Sequence, residues 1–507
     1  VVFLQIHPGK TGGDALNKRR SGLYFLLCHK MRGGTIPPMY AFITDARLGP
    51  WPHFLRLLAG AWILPMLLSA CGGGGTSSVE TPLPMSVPAP VPVGSASSTL
   101  GFSLPRAGLS AAELAVIVVE GDAQSEAIAS YYQAARAVPA ANIIRVKLNT
   151  SSAAISVSDF AAFKAEVDAK LPAGVQATLL TWTAPSRVVG TCAMSITSAM
   201  AFGYDSKYCG GCSGTAPSSY FDSESKQAWV NHKIRPSMML GAASLGAAKT
   251  LIDRGVRADA SQPSGDGYLL RTSDVARSVR FGDYIGLPAA WAGRLKLNYI
   301  DNSAAAAADF IEAKSDILFY FTGLANVPKL ASLSFRPGAV ADHLTSFGGS
   351  LPGAGQMAVT GWLDAGATAS YGTVEEPCNY TQKFPQASVL MDHYFRGETV
   401  IEAYWKSVQW PGQGLFVGEP LARPFTDSPS FTLESGQYVI STRALRSNAS
   451  YSLEYRAGAT GSWTALATFE ISRAEAQTLR SPLPPANATE LRWRGPCPDN
   501  SALQCTL

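Results

Sequence analysis

From Leu109 onward, continuous apolar runs alternate with segments whose apolar residues recur at helical spacing. The run LAVIVV at Leu114–Val119 reads as a strand buried on both faces, and it ends at Gly121-Asp122 before a helix carrying Ile128, Tyr131, Tyr132 and Ala135. Residues 143–148 predict a second strand, 158–170 a helix and 177–182 a third strand. Apolar runs at 295–300, 317–321 and 415–417 continue the pattern, and an Ala-rich helix is expected over 304–313. This order predicts an α/β domain over 109–426, a mostly parallel sheet covered by helices, with ligands beyond the carboxyl ends of its strands. Past Pro429 the period shortens to alternating runs such as FTLESGQYVIS, SYSLEYRAG and WTALATFEI, split by Gly, Asn and Pro turns. Residues 427–507 therefore predict a small antiparallel β-sandwich-like domain.

The start of the chain follows a different logic. Residues 57–70 (LLAGAWILPMLLSA) form an uncharged apolar run preceded by Arg47 and Arg56 and followed at once by Cys71. Such a layout marks a secretory signal peptide, and the run is shorter than the roughly 20 apolar residues of a membrane span. Its ending, Leu68-Ser69-Ala70-Cys71, resembles the bacterial lipobox. That resemblance implies a lipid on Cys71, attachment to a membrane through it and, with Gly72 next in line, the outer membrane of a Gram-negative envelope. A start at Met39 or Met31 gives the signal an ordinary layout, so 39–70 are read as the signal and 1–38 as an over-extended frame. Residues 71–108, rich in Gly, Ser and Pro, are expected to be a flexible tether.

Charge sharpens this division. The formal net charge of +4 is made of a leader of +6 over residues 1–70 and a remainder of −2. The basicity thus belongs to export, and no concentrated basic face speaks for nucleic acid. Charged residues at 15% and apolar ones at 47% suit a folded body rather than a disordered one.

Beyond Cys71 there are six cysteines: Cys192, Cys209, Cys212, Cys378, Cys497 and Cys505. An even count in an exported chain favours disulfides. Cys497 and Cys505 close a short loop, whereas Cys192, Cys209, Cys212 and Cys378 can pair in three ways. Cys209-Gly-Gly-Cys212 also has the spacing of a redox or zinc half-site. Cys192, Cys209 and Cys212 lie in a Ser-, Gly-, Tyr- and Cys-rich insertion over 190–235 that shows little periodicity and is long enough to suggest a role. Within it Asp222, Glu224 and His232 offer ligands to a divalent cation, yet their spacing matches no loop signature, and no metal or cofactor is assigned. Only His232, His343 and His393 remain beyond the leader, and no GxSxG, HExxH, P-loop or dinucleotide fingerprint accompanies them.

Four segments, PGAVADHLTSFGG, GWLDAGATASYGTVEEPCNY, KFPQASVLMDHYFRGETVIEAYWKSV and GLFVGEPLARPF, resemble a bacterial family of exported proteins whose activity is uncharacterised. The upstream pieces EAIASYYQAARAVPAANI, TWTAPSRV and HKIRPSMML fit the same family, so the resemblance covers most of 110–426. With its Gly418-Glu419-Pro420-Leu421 turn after the last strand, the layout is also similar to gingipain-like and caspase-like cysteine peptidases. That similarity implies a His-Gly at the end of one central strand and a Cys at the end of the next. Here Thr322-Gly323 and Ser346 stand at those places. Cys378 with His343 is the candidate substitute dyad, and Glu375 and Glu376 are candidate pocket residues. Two functions follow as expectations. One is a non-proteolytic binding or scaffold module that contacts an envelope protein or peptide, and the other is an extracytoplasmic hydrolase using Cys378, His343 and Glu376 on an exported peptide or glycan.

Overall fold

The structure, a computed structural model, describes residue 100, residues 105–498 and residues 504–506. The expected leader, Cys71 and the tether up to residue 99 lie outside the described residues. The first block opens with β1 (Leu114–Val119), whose side chains are all buried, and α1 (Ala123–Arg136), which starts where the Asp122 carboxylate accepts the Ser125 N–H. It continues through β2 (Ile143–Val146), β3 (Ala154–Ser156), α2 (Val157–Lys170) and β4 (Ala177–Leu180). Then come β5 (Arg187–Val189), β6 (Ala193–Ser195), α3 (Ile196–Phe202), α4 (Ala228–His232) and β7 (Ser237–Met239). The second block begins with α5 (Leu245–Ala258), β8 (Asp266–Arg271), α6 (Phe281–Tyr284), α7 (Leu287–Ala290) and β9 (Lys296–Asp301). It closes with β10 (Ile317–Gly323), β11 (Phe335–Leu344), α8 (Thr360–Ala365), β12 (Ala369–Thr373), α9 (Ala387–Phe395), α10 (Val400–Ser407) and β13 (Gly414–Gly418).

Ten of these strands form one sheet in the order β2-β1-β4-β7-β13-β12-β11-β10-β8-β9. Every neighbouring pair is parallel except β12 and β13, which are antiparallel. The sheet is therefore two parallel blocks whose carboxyl ends point to opposite edges, and β13, although last in the chain, joins the first of them beside β7. The blocks repeat one strand order, β2-β1-β4-β7 and β9-β8-β10-β11. They also share a hydroxyl device at the end of their first strand. The Ser125 hydroxyl accepts the Val119 N–H and lies 2.5 Å from Thr181 Oγ1, while the Ser278 hydroxyl accepts the Thr272 N–H at 2.7 Å. Each hydroxyl satisfies a buried amide where the strand leaves the sheet.

The expected strands and helices of the first block are present, and the α/β class with a mostly parallel sheet holds. The Ala-rich helix over 304–313 is absent and the segment is a chain of turns. Its conformation is dictated from outside: the Asn302 amide donates to Ala307 O and Asp309, and Asp309 accepts from the Ser273 backbone N–H and hydroxyl. Helix propensity of a few tenths of a kcal/mol per residue yields to such anchoring. The insertion over 190–235 is also more built than expected. It supplies β6 and α3, and all of α3 from Ile196 to Ala201 is buried against the sheet.

The last part of the chain forms β14 (Ser430–Glu434), β15 (Gln437–Thr442), β16 (Ala449–Arg456), β17 (Thr464–Ile471), β18 (Gln477–Pro482), β19 (Glu490–Pro496) and β20 (Gln504–Thr506). These make two antiparallel sheets, β14-β15-β18 and β17-β16-β19-β20, around a shared core of Tyr438, Ile440, Tyr451, Leu453 and Trp493. This β-domain belongs to the same compact unit as the α/β body. Among the described residues no helix is long and apolar enough to cross a membrane.

The end of β10 yields a packing prediction. A Cβ on Gly323 would lie 1.8 Å from the Arg277 carbonyl oxygen, whereas one on Gly174 meets nothing within 4 Å. Gly323→Ala is expected to cost about 1–3 kcal/mol or more, and Gly174→Ala well under about 1 kcal/mol, read as shifts of the urea midpoint.

Candidate functional site

The candidate dyad is not assembled. Cys378, in the turn after β12, is disulfide-bonded to Cys212 with the two Cα atoms 5.0 Å apart, so its sulfur carries no thiol. A nucleophile or metal ligand needs a thiolate, which corrects the catalytic reading of Cys378. The grouping of Cys212, Glu376 and Cys378, whose ligand atoms lie within 4.8 Å of one another, is this same disulfide with a carboxylate beside it. That carboxylate, Glu376, accepts the Cys378 N–H at 2.9 Å and caps the turn. His343, on β11, is buried and bonded at both ring nitrogens. Its Nδ1 accepts the Trp362 indole N–H at 2.9 Å and its Nε2 faces the Met357 carbonyl oxygen at 3.2 Å. Burial pushes its pKa down to about 4, which keeps the ring neutral. The imidazole is therefore a structural group rather than a base.

The other cysteines among the described residues pair as Cys192–Cys209 and, as expected, Cys497–Cys505. Cys209 and Cys212 are thus bonded to different partners, and the redox or zinc half-site does not exist here. Glu375 accepts the N–H groups of Ala193 and Gly211 at 3.1 and 3.0 Å, and so pins the insertion beside the disulfide. Lys383 donates to the Gly211 carbonyl from a site where burial pushes its pKa down to about 8.

The two strand ends that the peptidase similarity singles out are filled. Thr322 is buried on β10, and its carbonyl accepts from Arg280 at 2.8 Å. The same guanidinium, itself buried, pairs with Asp342 of β11 at 2.7 Å and donates to Pro385 O. Burial drives Asp342 up to about 6 against the attraction of Arg280. Ser346 is half-buried, and its carbonyl accepts the Thr373 hydroxyl at 3.0 Å.

Asp222, Glu224 and His232 do not converge on a cation either. Asp222 faces His393 Nε2 at 3.1 Å and accepts from Arg446 of the β-domain at 2.5 Å. Glu224 is gripped in a fork by Arg396, at 2.9 Å to each oxygen, and is held far below the usual carboxylate range despite its burial. The nitrogens of His232 lie instead 3.1 Å from Ser219 Oγ and 2.9 Å from Ser223 Oγ. Cations of the chain itself thus occupy the carboxylates offered to a metal. Behind them Glu398, fully buried, pairs with His393 at 2.8 Å, with Lys406 at 2.7 Å and with Lys226. Glu402 caps α10 through Thr399 and also accepts the Leu109 N–H at 2.9 Å. This network joins the chain near Leu109, the insertion, α9, α10 and the β-domain. Sequence reasoning missed Arg280, Arg396, Glu398, Lys406 and Arg446. The one local signal was the Thr399-x-x-Glu402 capping box.

Beside Arg446 a cleft of about 580 Å³ opens between the α/β body and the β-domain. Trp291, Arg294, Ser388 and Asp392 line one wall, with Arg446–Asn448 and Ser472–Ala474 opposite. Comparison with protein-family models, curated proteins and solved structures finds no match.

The state of His343 sets a pH prediction. The unfolded imidazole takes its proton near pH 6.5 and the folded one only near 4, so its contribution to stability is full above about 6.5 and is lost as the pH falls toward 4. The shift corresponds to about 3 kcal/mol. Asp342 acts with the opposite sign, but equally in the parent and in a His343→Gln variant, and cancels from their difference. Urea unfolding of the two chains is expected to show a stability gap that narrows by up to about 3 kcal/mol between pH 7 and pH 4. A gap independent of pH would mean that the ring titrates freely.

Proposed function

We propose that this chain is a non-catalytic binding module of the cell envelope, held at the membrane by a lipid on Cys71, whose fold is related to that of gingipain-like and caspase-like domains. The observation that carries this reading is the saturation of the candidate dyad: Cys378 spends its sulfur on Cys212, and His343 spends both nitrogens on Trp362 and Met357. Hydrolysis by a thiol requires a free sulfur with a base in hydrogen-bond reach. Both chemical groups are here used to hold the fold. Three disulfides agree with export to an oxidising compartment, and Thr322 and Ser346 at the strand ends agree with a relative that has no dyad.

The test separates structure from catalysis. Without reductant, a thiol-reactive activity probe is expected to leave Cys378 unlabelled, and Cys378→Ala is expected to lower stability by about 2–5 kcal/mol through loss of a long loop closure. Labelling of Cys378, or a peptidase or glycosidase turnover abolished by Cys378→Ala, would refute the proposal. Incorporation of radioactive fatty acid should be lost in Cys71→Ala, and label retained in that variant would remove the anchor.

A further inference from the structure

We propose that the cleft between the α/β body and the β-domain binds an acidic oligosaccharide, with the carboxylate of a sugar unit held by Arg294 and Arg473. The inference deepens the binding-module reading and rests on it. The cleft's volume of about 580 Å³ falls within the roughly 300–1,000 Å³ typical of ligand sites. Its charges are not equally available. Asp392 is bonded to Arg396 at 2.9 Å, and Asp222 to Arg446 at 2.5 Å, so both carboxylates lining the cleft are already neutralised by the chain.

Arg294 has no such partner. Its guanidinium reaches across the cleft to the Ala474 carbonyl at 3.2 Å and back to the Ala290 carbonyl, and its buried Nε has no acceptor. Among the described residues no carboxylate stands within ion-pair distance of it. Arg473, next to Ala474, is exposed and holds Glu475 at 3.2 Å, a contact of the solvent-screened kind. Burial and the charge of Arg473 push the Arg294 pKa down, and the more distant carboxylates of Glu475 and Asp392 only partly offset them. Two guanidiniums that repel across a cleft are relieved by an anion between them, and a carboxylate matches their planar forks.

The rest of the lining favours a sugar over a peptide. A peptide added to a sheet edge needs a row of free backbone groups, whereas these walls are helix ends and turns. They present the side chains of Ser447, Asn448 and Ser472, none of which makes a hydrogen bond within the described residues. Trp291, buried against Phe395, carries the Arg294 guanidinium stacked over its ring at 4.5 Å and so fixes its place in the wall. Hydroxyl and amide groups around one cationic pair suit a polyol that carries a carboxylate.

Isothermal titration of the full chain with trigalacturonate tests this, with maltotriose as the uncharged control and sodium sulfate as the bare anion. Trigalacturonate is expected to bind, and both controls to bind at least about tenfold more weakly. Arg473→Gln, at an exposed position, and Arg294→Gln should each weaken trigalacturonate binding by about tenfold, the size of a lost charge-assisted hydrogen bond. The proposal is overturned by absence of binding, by equal affinity for maltotriose or sulfate, or by affinity unchanged in both variants. Chromatography of the recovered sugar keeps the two readings apart. Intact trigalacturonate is expected, and cleaved products would refute the non-catalytic function while leaving the site in place.

Discussion

Glu398 carries a charge at a point with no access to solvent, and several distant parts of the chain meet there to hold it. Taking a carboxylate out of water costs several kcal/mol even after relaxation, and only close, simultaneous partners offset it. Its partners are His393 from α9, Lys406 from α10 and Lys226 from the insertion, and the network runs on through Asp222 and Glu224 to Arg396 and Arg446. None of these segments can settle alone without leaving a buried ion unpaired. The insertion, the two helices and the β-domain are therefore coupled in one event. Removing a single member would be far more damaging than replacing the whole set with apolar residues.

The same network shapes the surface beside it. Arg396 pairs with Asp392 and Arg446 with Asp222, which withdraws both carboxylates from the cleft between the domains. Arg294 is then left without an ion-pair partner among the described residues, beside Arg473, whose Glu475 contact is solvent-screened. The cationic character of the cleft is in this sense a product of the buried pairing rather than of composition, since the chain beyond residue 70 has a formal net charge of −2.

Much of the body could be read from local pattern, and the failures share a cause. LAVIVV is a buried strand in any context, and Asp122 and Ser156 announce the helices that they cap. Strand β12, ASYGT, is polar and short and forms no apolar run; it is buried only because neighbours cover Ser370 and Thr373. The Ala-rich stretch after Asn302 failed for the converse reason, a favourable propensity overruled by anchors at Asp309 and Ser273. The site readings failed on sequence distance. Cys378 bonds a cysteine 166 positions away, Arg396 a glutamate 172 away and Glu402 an amide 293 away. A charge or thiol shows its chemistry in the sequence, but its partner decides whether that chemistry is free to act. For Cys378, His343, Asp222 and Glu224 the partner was the chain itself.

Open α/β sheets ordinarily place ligands at the carboxyl ends of their strands, where loops diverge and leave a crevice. In this sheet the second block has that edge closed. Arg280 and Asp342 fill the ends of β10 and β11, the backbone of Arg277 lies against Gly323, and the disulfide-pinned insertion sits on the turn after β12. Opening the crevice would separate a buried ion pair and leave the Thr322 carbonyl without its donor, a cost of several kcal/mol with no compensating contact. Recognition at that edge would have to work against the stability of the core. At the junction of the domains the walls are turns and helix ends whose polar side chains are already solvated, so a ligand there displaces water rather than structure. The fold thus places stability at the strand ends and leaves binding to the junction.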